Sequence, residues 1–214
     1  PFDTGILIAH ETSPPRDLAP LSPEKHWTDV EGRTIYDFGQ NHAGHVAFTV
    51  SGEAGARVVV EHGEVLDKGG QFYNGNYRTA AAKLDYTLSG VGEESWRPVF
   101  TFQGYRYVRV TITGRAALGH IESIPISSVT KQKATFTSAN PMVNRLVLNT
   151  LWSQRSNLID VPTDCPQRDE RLGWTGDAQV FAGTACYLGD AHGFLIKYVR
   201  DLMADQRQDG AIPH

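Results

Sequence analysis

The sequence predicts a two-part chain, β first and α second: an antiparallel β-sandwich of jelly-roll type followed by a run of helices. Two observations carry this reading. Between about residues 34 and 114, six short stretches alternate or are rich in β-branched and aromatic residues. Gly, Asn and Asp divide them, and no helical spacing intervenes. After Ile124-Pro125 the period changes, and apolar residues recur at intervals of three and four.

In chain order, residues 1–30 carry Pro14-Pro15, Pro20 and Pro23 and read as an extended connection, with Ile6-Leu7-Ile8 as a short strand. A β part is expected over residues 31–125, with strands at 34–38, 44–51, 57–64, 83–88, 97–102 and 106–113. Gln40-Asn41-His42-Ala43-Gly44 reads as a tight connection between two of them, and Tyr73-Asn74-Gly75-Asn76 as a turn in a long surface loop. His42, His45 and His62 lack ligand spacing and read as surface or hydrogen-bonded strand histidines.

The helical part is expected over residues 126–214. Asn140 offers an N-cap and Pro141 a first helical position. Val143, Leu146, Val147, Thr150 and Leu151 then carry a helix to about residue 157. A second helix, about 176–187, is small or apolar on nearly every face and should be buried all round. A third, about 191–206, keeps Leu195, Val199 and Leu202 on one stripe. Such alternation suits a double ring of helices, which three helices do not close.

Composition narrows the function. The 214 residues are 40% hydrophobic and 21% charged, the balance of a globular protein, enough for one large or two small domains. The net charge of -4 comes with interspersed signs and no Lys/Arg block, which argues against a nucleic-acid or membrane partner. No stretch approaches the ~18 apolar residues of a membrane span. Two cysteines, Cys165 and Cys186, are too few for a disulfide framework and lack metal-site spacing, and Cys186 reads as a small buried hydrophobe. The chain opens on Pro1 and closes on His214 just past a helical pattern. It therefore reads as a fragment, with a cytoplasmic or a secreted location left open.

The chemistry concentrates in Asp164-Cys165-Pro166-Gln167-Arg168-Asp169-Glu170-Arg171-Leu172-Gly173-Trp174-Thr175-Gly176-Asp177, where 6 of 14 residues are charged. Clustered carboxylates beside an arginine and a tryptophan are what sugar hydrolysis requires. One acid protonates the leaving oxygen, other groups hold hydroxyls, and an aromatic face packs on the apolar side of a pyranose. Each residue also has a plainer reading. Asp177 could be a helix N-cap or first-turn acid, Asp164 an Asx-turn residue, Glu170 a surface acid paired with Arg168 or Arg171, and Trp174 core packing. Asp169 reads as structural, paired with a neighbouring arginine.

This string closely resembles the signature of the bacterial and fungal α-L-rhamnosidases, inverting glycoside hydrolases whose catalytic domain is an (α/α)6 barrel. Upstream, Tyr36-Asp37-Phe38-Gly39-Gln40-Asn41 and Phe102-Gln103-Gly104-Tyr105-Arg106-Tyr107-Val108-Arg109 resemble the β-module that precedes that barrel. The resemblance implies hydrolysis of terminal non-reducing α-L-rhamnose with inversion. It implies Glu170 as general acid and Asp164, Arg168, Trp174 and Asp177 as the pocket for the sugar. The family's general base is a later glutamate, outside these residues, so the 214 residues alone are expected to be inactive and to need the remainder of the same chain. Rhamnose-containing glycosides are the expected partners; no cofactor and no metal are expected. Two other readings remain at this stage, a carbohydrate-binding β-module fragment without catalysis and another helical-barrel glycosidase.

Overall fold

The computed structural model describes residues 9–10 and 12–212. The stretch Ile6-Leu7-Ile8 lies outside the described residues. The elements run β1 (Arg16–Asp17), β2 (Lys25–Thr28), β3 (Thr34–Gly52), β4 (Arg57–Gly63), β5 (Val65–Leu66) and β6 (Phe72–Tyr73). A 3-10 turn (Gly75–Tyr77) leads to β7 (Lys83–Thr87), β8 (Glu93–Trp96), β9 (Gln103–Thr113) and β10 (Ala116–Ser127). Then come α1 (Pro141–Asn157), the short β11 (Leu158–Ile159) and β12 (Val161–Pro162), α2 (Thr175–Leu188) and α3 (His192–Ala204). The β-then-α division expected from the sequence is present.

The eight-stranded antiparallel sheet is ordered β1-β10-β3-β9-β4-β7, with β2 and β8 also on β3. β3 is its spine. Its first half lies between β2 and β9, and its second half between β10 and β8, so one strand serves both halves of a curled sheet. The side chains alternate as the pleat requires. Val46, Phe48 and Val50 of β3 share a core with Val58 and Val60 of β4 and Val108 and Val110 of β9.

Two expectations fail here for identifiable reasons. Residues 34–38 and 44–51 are not two strands with a tight connection but one, because the stretch between them stays extended. The register to β9 shifts between Asp37 and His42, and Gly39 takes φ 73°. A bulge that bends a continuous strand carries the same Gly and Asn as a turn. Residues 97–102 form no strand either. Pro98 interrupts the run, the strand sits earlier at β8, and Phe100 projects into solvent.

Of the two readings given for the histidines, the hydrogen-bonded strand one holds and the surface one does not. His42, His45 and His62 are all buried. His42 donates Nδ1–H to the Gln40 carbonyl, and its Nε2 meets Ser123 Oγ at 2.6 Å. His62 donates Nδ1–H to the Ala82 carbonyl, and its Nε2 has no hydrogen-bond partner among the described residues.

α1 begins as the sequence dictates, with Asn140 Oδ1 accepting from Met142 N (2.9 Å) and Pro141 in the first turn. It packs on β3 and β10, where Ser156 Oγ accepts from Ala43 N just past the bulge (3.1 Å). Gln154 reaches across to the Ala185 carbonyl of α2. A second core joins Val129, Leu158, Ala185, Ala191 and Phe194, with Cys186 half-buried at its edge. α2 is not buried all round: Val180 and Tyr187 are 87% and 80% exposed. Its packed side meets α1 and α3, and among the described residues nothing covers the other. No helix among them is long and apolar enough to cross a membrane.

Candidate active site

The charged segment folds as a loop closed at its neck. Thr163 and Gly173 form a bridge, Asp164 N donates to the Leu172 carbonyl (3.0 Å), and Leu172 N donates back to Asp164 Oδ1 (3.1 Å). Asp164 therefore clamps residues eight apart and is not an Asx-turn. The Tyr198 hydroxyl of α3 donates to the Gly173 carbonyl, and a Cβ at Gly173 would sit 3.1 Å from that ring. Just before the neck the chain turns through Arg171 in a left-handed conformation, φ 56°.

Inside the loop, Arg168 is the hub. Its Nε donates to Cys165 Sγ (3.0 Å), its Nη2 donates to Glu170 Oε2 (2.9 Å), and Nη2 lies 3.7 Å from Asp164 Oδ2. Burial pushes the Cys165 thiol up, so it stays protonated and donates to Asp164 Oδ2 (3.1 Å). One oxygen or sulfur from each of Asp164, Cys165 and Glu170 lies within 4.8 Å of the others, a spacing that would suit a metal ion. The Arg168 guanidinium contacts all three and supplies the positive charge that such a cluster needs.

The β part closes over the same loop. Arg78 Nη1 donates to Glu170 Oε2 (3.2 Å), and Thr79 donates both its backbone N–H (3.3 Å) and its hydroxyl to Asp169 Oδ2. The Thr79 hydroxyl holds Asp169 below the usual carboxylate range. Asp169 thus takes its partners from about ninety residues upstream rather than from Arg168 or Arg171. Arg171 instead lays its guanidinium over the Phe102 ring, 4.5 Å from the centroid. At Gly104 a Cβ would fall 2.9 Å from that of Gln167, so only glycine lets the loop lie flat on β9. The Gly104 carbonyl accepts the buried Tyr77 hydroxyl at 2.6 Å.

Asp164 stands between two clefts. A polar one of about 570 Å³ lies between the β3 bulge, α1 and the loop, lined by Gln40, Asn41, Arg106, Trp152 and Gln167 among others. An apolar one of about 170 Å³ brings Asp164 and Asp177 together with Ala178, Phe181 and Leu195. Of the five residues singled out by sequence, Asp164, Arg168 and Glu170 form one hydrogen-bonded cluster. Asp177 sits exposed in the first turn of α2 and reaches the apolar cleft. Trp174 is half-buried at the N-cap position of α2 and lines neither cleft. Sequence reasoning missed Arg78 and Thr79, since a surface turn carries no sign of which distant carboxylate it will meet.

Comparison with known proteins places these features. Residues 28–128 match the bacterial α-L-rhamnosidase concanavalin-like domain, and residues 131–214 match the bacterial α-L-rhamnosidase 6 hairpin glycosidase domain. This chain belongs to the bacterial α-L-rhamnosidase family. An α-L-rhamnosidase of Streptomyces avermitilis is 42% identical over 206 residues, which are 96% of this chain and 20% of that protein. One from an Alteromonas species is 36% identical over 207 residues, covering 94% of this chain and 22% of the relative. Among solved structures, the Streptomyces avermitilis α-L-rhamnosidase complexed with L-rhamnose superposes with a TM-score of 0.91 at 42% identity, over 96% of this chain and 20% of that one. The α-L-rhamnosidase of Dictyoglumus thermophilum gives 0.88 at 36% identity, over 94% and 23%. The chain thus spans only 20% to 25% of the length of three curated relatives that it matches. Within this rhamnosidase framework, Arg78 and Thr79 belong to the concanavalin-like part and Glu170 to the hairpin part. The cluster is assembled across both.

Proposed function

We propose that this chain carries the acid side of the active site of an inverting α-L-rhamnosidase, an enzyme that releases terminal non-reducing α-L-rhamnose from α-L-rhamnosides. The observation that carries the reading is Glu170, held by a guanidinium from each domain within the loop that the rhamnosidase signature occupies. Glu170 protonates the departing glycosidic oxygen. Asp164, Arg168 and Asp177 hold sugar hydroxyls, and Trp174 offers a ring face to the pyranose. A second carboxylate, supplied from outside these residues, activates water on the opposite face, roughly 6.5–9.5 Å from the acid.

The full-length enzyme is expected to cleave nitrophenyl α-L-rhamnoside and to leave nitrophenyl glucoside essentially untouched. Proton NMR of the first sugar released should show the anomer opposite to the substrate's. Preference for the glucoside would reassign the sugar, and retained configuration would remove the single-displacement mechanism.

Trp174→Ala and Asp177→Asn are each expected to weaken rhamnose binding by roughly tenfold, the scale of one ring face or one charge-assisted hydrogen bond. Calorimetry measures the loss, and the melting temperature should barely move, since Asp177 is exposed and Trp174 only half-buried. A large fall in melting temperature with unchanged affinity would make Trp174 a packing residue and Asp177 a first-turn acid serving the helix dipole.

A further inference from the structure

We propose that Arg78, from the concanavalin-like part, is a positioning residue for the general acid of the hairpin part. The proposal rests on reading Glu170 as that acid. Arg78 Nη1 lies 3.2 Å from Glu170 Oε2 and 3.8 Å from Asp169 Oδ1. Arg168 Nη2 binds the same Glu170 oxygen from inside the loop, at 2.9 Å. Two cationic donors on Oε2 fix the plane of the carboxyl group. They also favour electron density on that oxygen, which leaves the proton to Oε1 for delivery to the leaving group.

The backbone supports a role for this particular side chain. Arg78 has φ 57° and ψ -117°, a region that glycine adopts without strain and other residues rarely enter. A glycine would suit the turn, yet the position holds the one side chain that, among the described residues, reaches Glu170 from the β part. The loop around it is anchored on both flanks. Tyr77 is buried and bonded to the Gly104 carbonyl, and Thr79 grips Asp169 through two donors. Arg78 itself is half-exposed, so its ion pair adds little to folding and its strain serves no packing need. A loop that is anchored on both sides, strained and aimed at a carboxylate is organised to hold that carboxylate.

The test uses the full-length enzyme with Arg78→Ala, Arg78→Lys, Glu170→Gln and the Arg78→Ala/Glu170→Gln double variant. Each is assayed on an alkyl α-L-rhamnoside, whose leaving group needs protonation, and on the activated nitrophenyl α-L-rhamnoside. Arg78→Ala should lower kcat on the alkyl substrate by on the order of 10- to 100-fold, with KM little changed and a much smaller loss on the nitrophenyl substrate. Arg78→Lys should recover part of the rate, because it restores the charge without the planar fork. In the Glu170→Gln background the same substitution should cost nothing further, the mark of two residues acting through one step. Should Arg78→Ala fold poorly, Arg78→Gly suits the backbone and takes its place.

Equal losses on both substrates, or an undiminished loss on top of Glu170→Gln, would overturn the positioning role and make Arg78 structural. Glu170→Gln that fails to discriminate between leaving groups would overturn the acid assignment, and the positioning role with it. Discrimination by Glu170→Gln beside none by Arg78→Ala removes the positioning role alone.

Discussion

Glu170→Gln in the full-length enzyme is expected to lower kcat on rhamnosides with poor leaving groups by on the order of 10²–10⁴, the usual contribution of a positioned general acid. The amide keeps the shape and one accepting oxygen, so Arg168 and Arg78 retain a partner and the loop should hold its form. What it loses is a proton of useful acidity. Nitrophenolate leaves without help, so the loss on nitrophenyl α-L-rhamnoside should be much smaller. Parallel kcat measurements on the two substrate types decide the matter. Equal losses would take Glu170 out of the acid role and leave it as the counter-ion of two arginines. The partner groups make that alternative concrete: Glu170 is only 24% exposed on its side chain and neutralises Arg168, which also holds Cys165 and Asp164.

The parts of the fold that sequence made legible are those where local chemistry and packing agree. Asn140-Pro141 starts a helix because the cap and the missing N–H are local, and Val58 and Val60 alternate because one face of β4 is core. β10 was not legible. Gly119, His120 and Pro125 break its pattern, yet it forms a long strand next to the sheet edge, because pairing with β3 along one side and with the short β1 at its end supplies what propensity lacks. The connection read into residues 1–30 likewise contains β1 and β2, which borrow their order from β10 and β3.

The site divides in the same way. Asp164, Arg168 and Glu170 were legible because their loop is contiguous and its closure is local. The contribution of Arg78 and Thr79 was not, because it depends on how β9 receives the loop. That contact is set by the absent side chain of Gly104 against Gln167, with residues 63 positions apart in sequence meeting at backbone distance. No periodicity encodes such a meeting.

The buried histidines give the second large effect, an acid lability of the β part between about pH 6.5 and 4. Burial pushes His62 and His42 down to about 4. A second proton on His62 would place an N–H at Nε2, where no acceptor stands among the described residues. The sign follows from linkage. Above pH 6.5 both rings are neutral folded and unfolded, and stability is fully present. As pH falls the unfolded chain takes up protons that the folded one refuses, and stability drops by about 1.4 kcal/mol per pH unit for each histidine. By pH 4 this amounts to on the order of 3 kcal/mol apiece, against a typical net stability of roughly 5–15 kcal/mol. His45, also lowered by burial, adds in the same direction. Asp37 acts later: burial raises it, but the Arg106 hydrogen bonds and the Gly39 amide more than offset that, so its loss falls below the histidine window. Hydrogen exchange of the β4 and β9 amides, corrected for intrinsic rates, reports the local stability at each pH. His62→Gln should flatten its decline by about one proton's worth. A wild-type profile level from pH 7 to 5, or a His62→Gln profile parallel to it, would mean that His62 takes up its proton without leaving the fold.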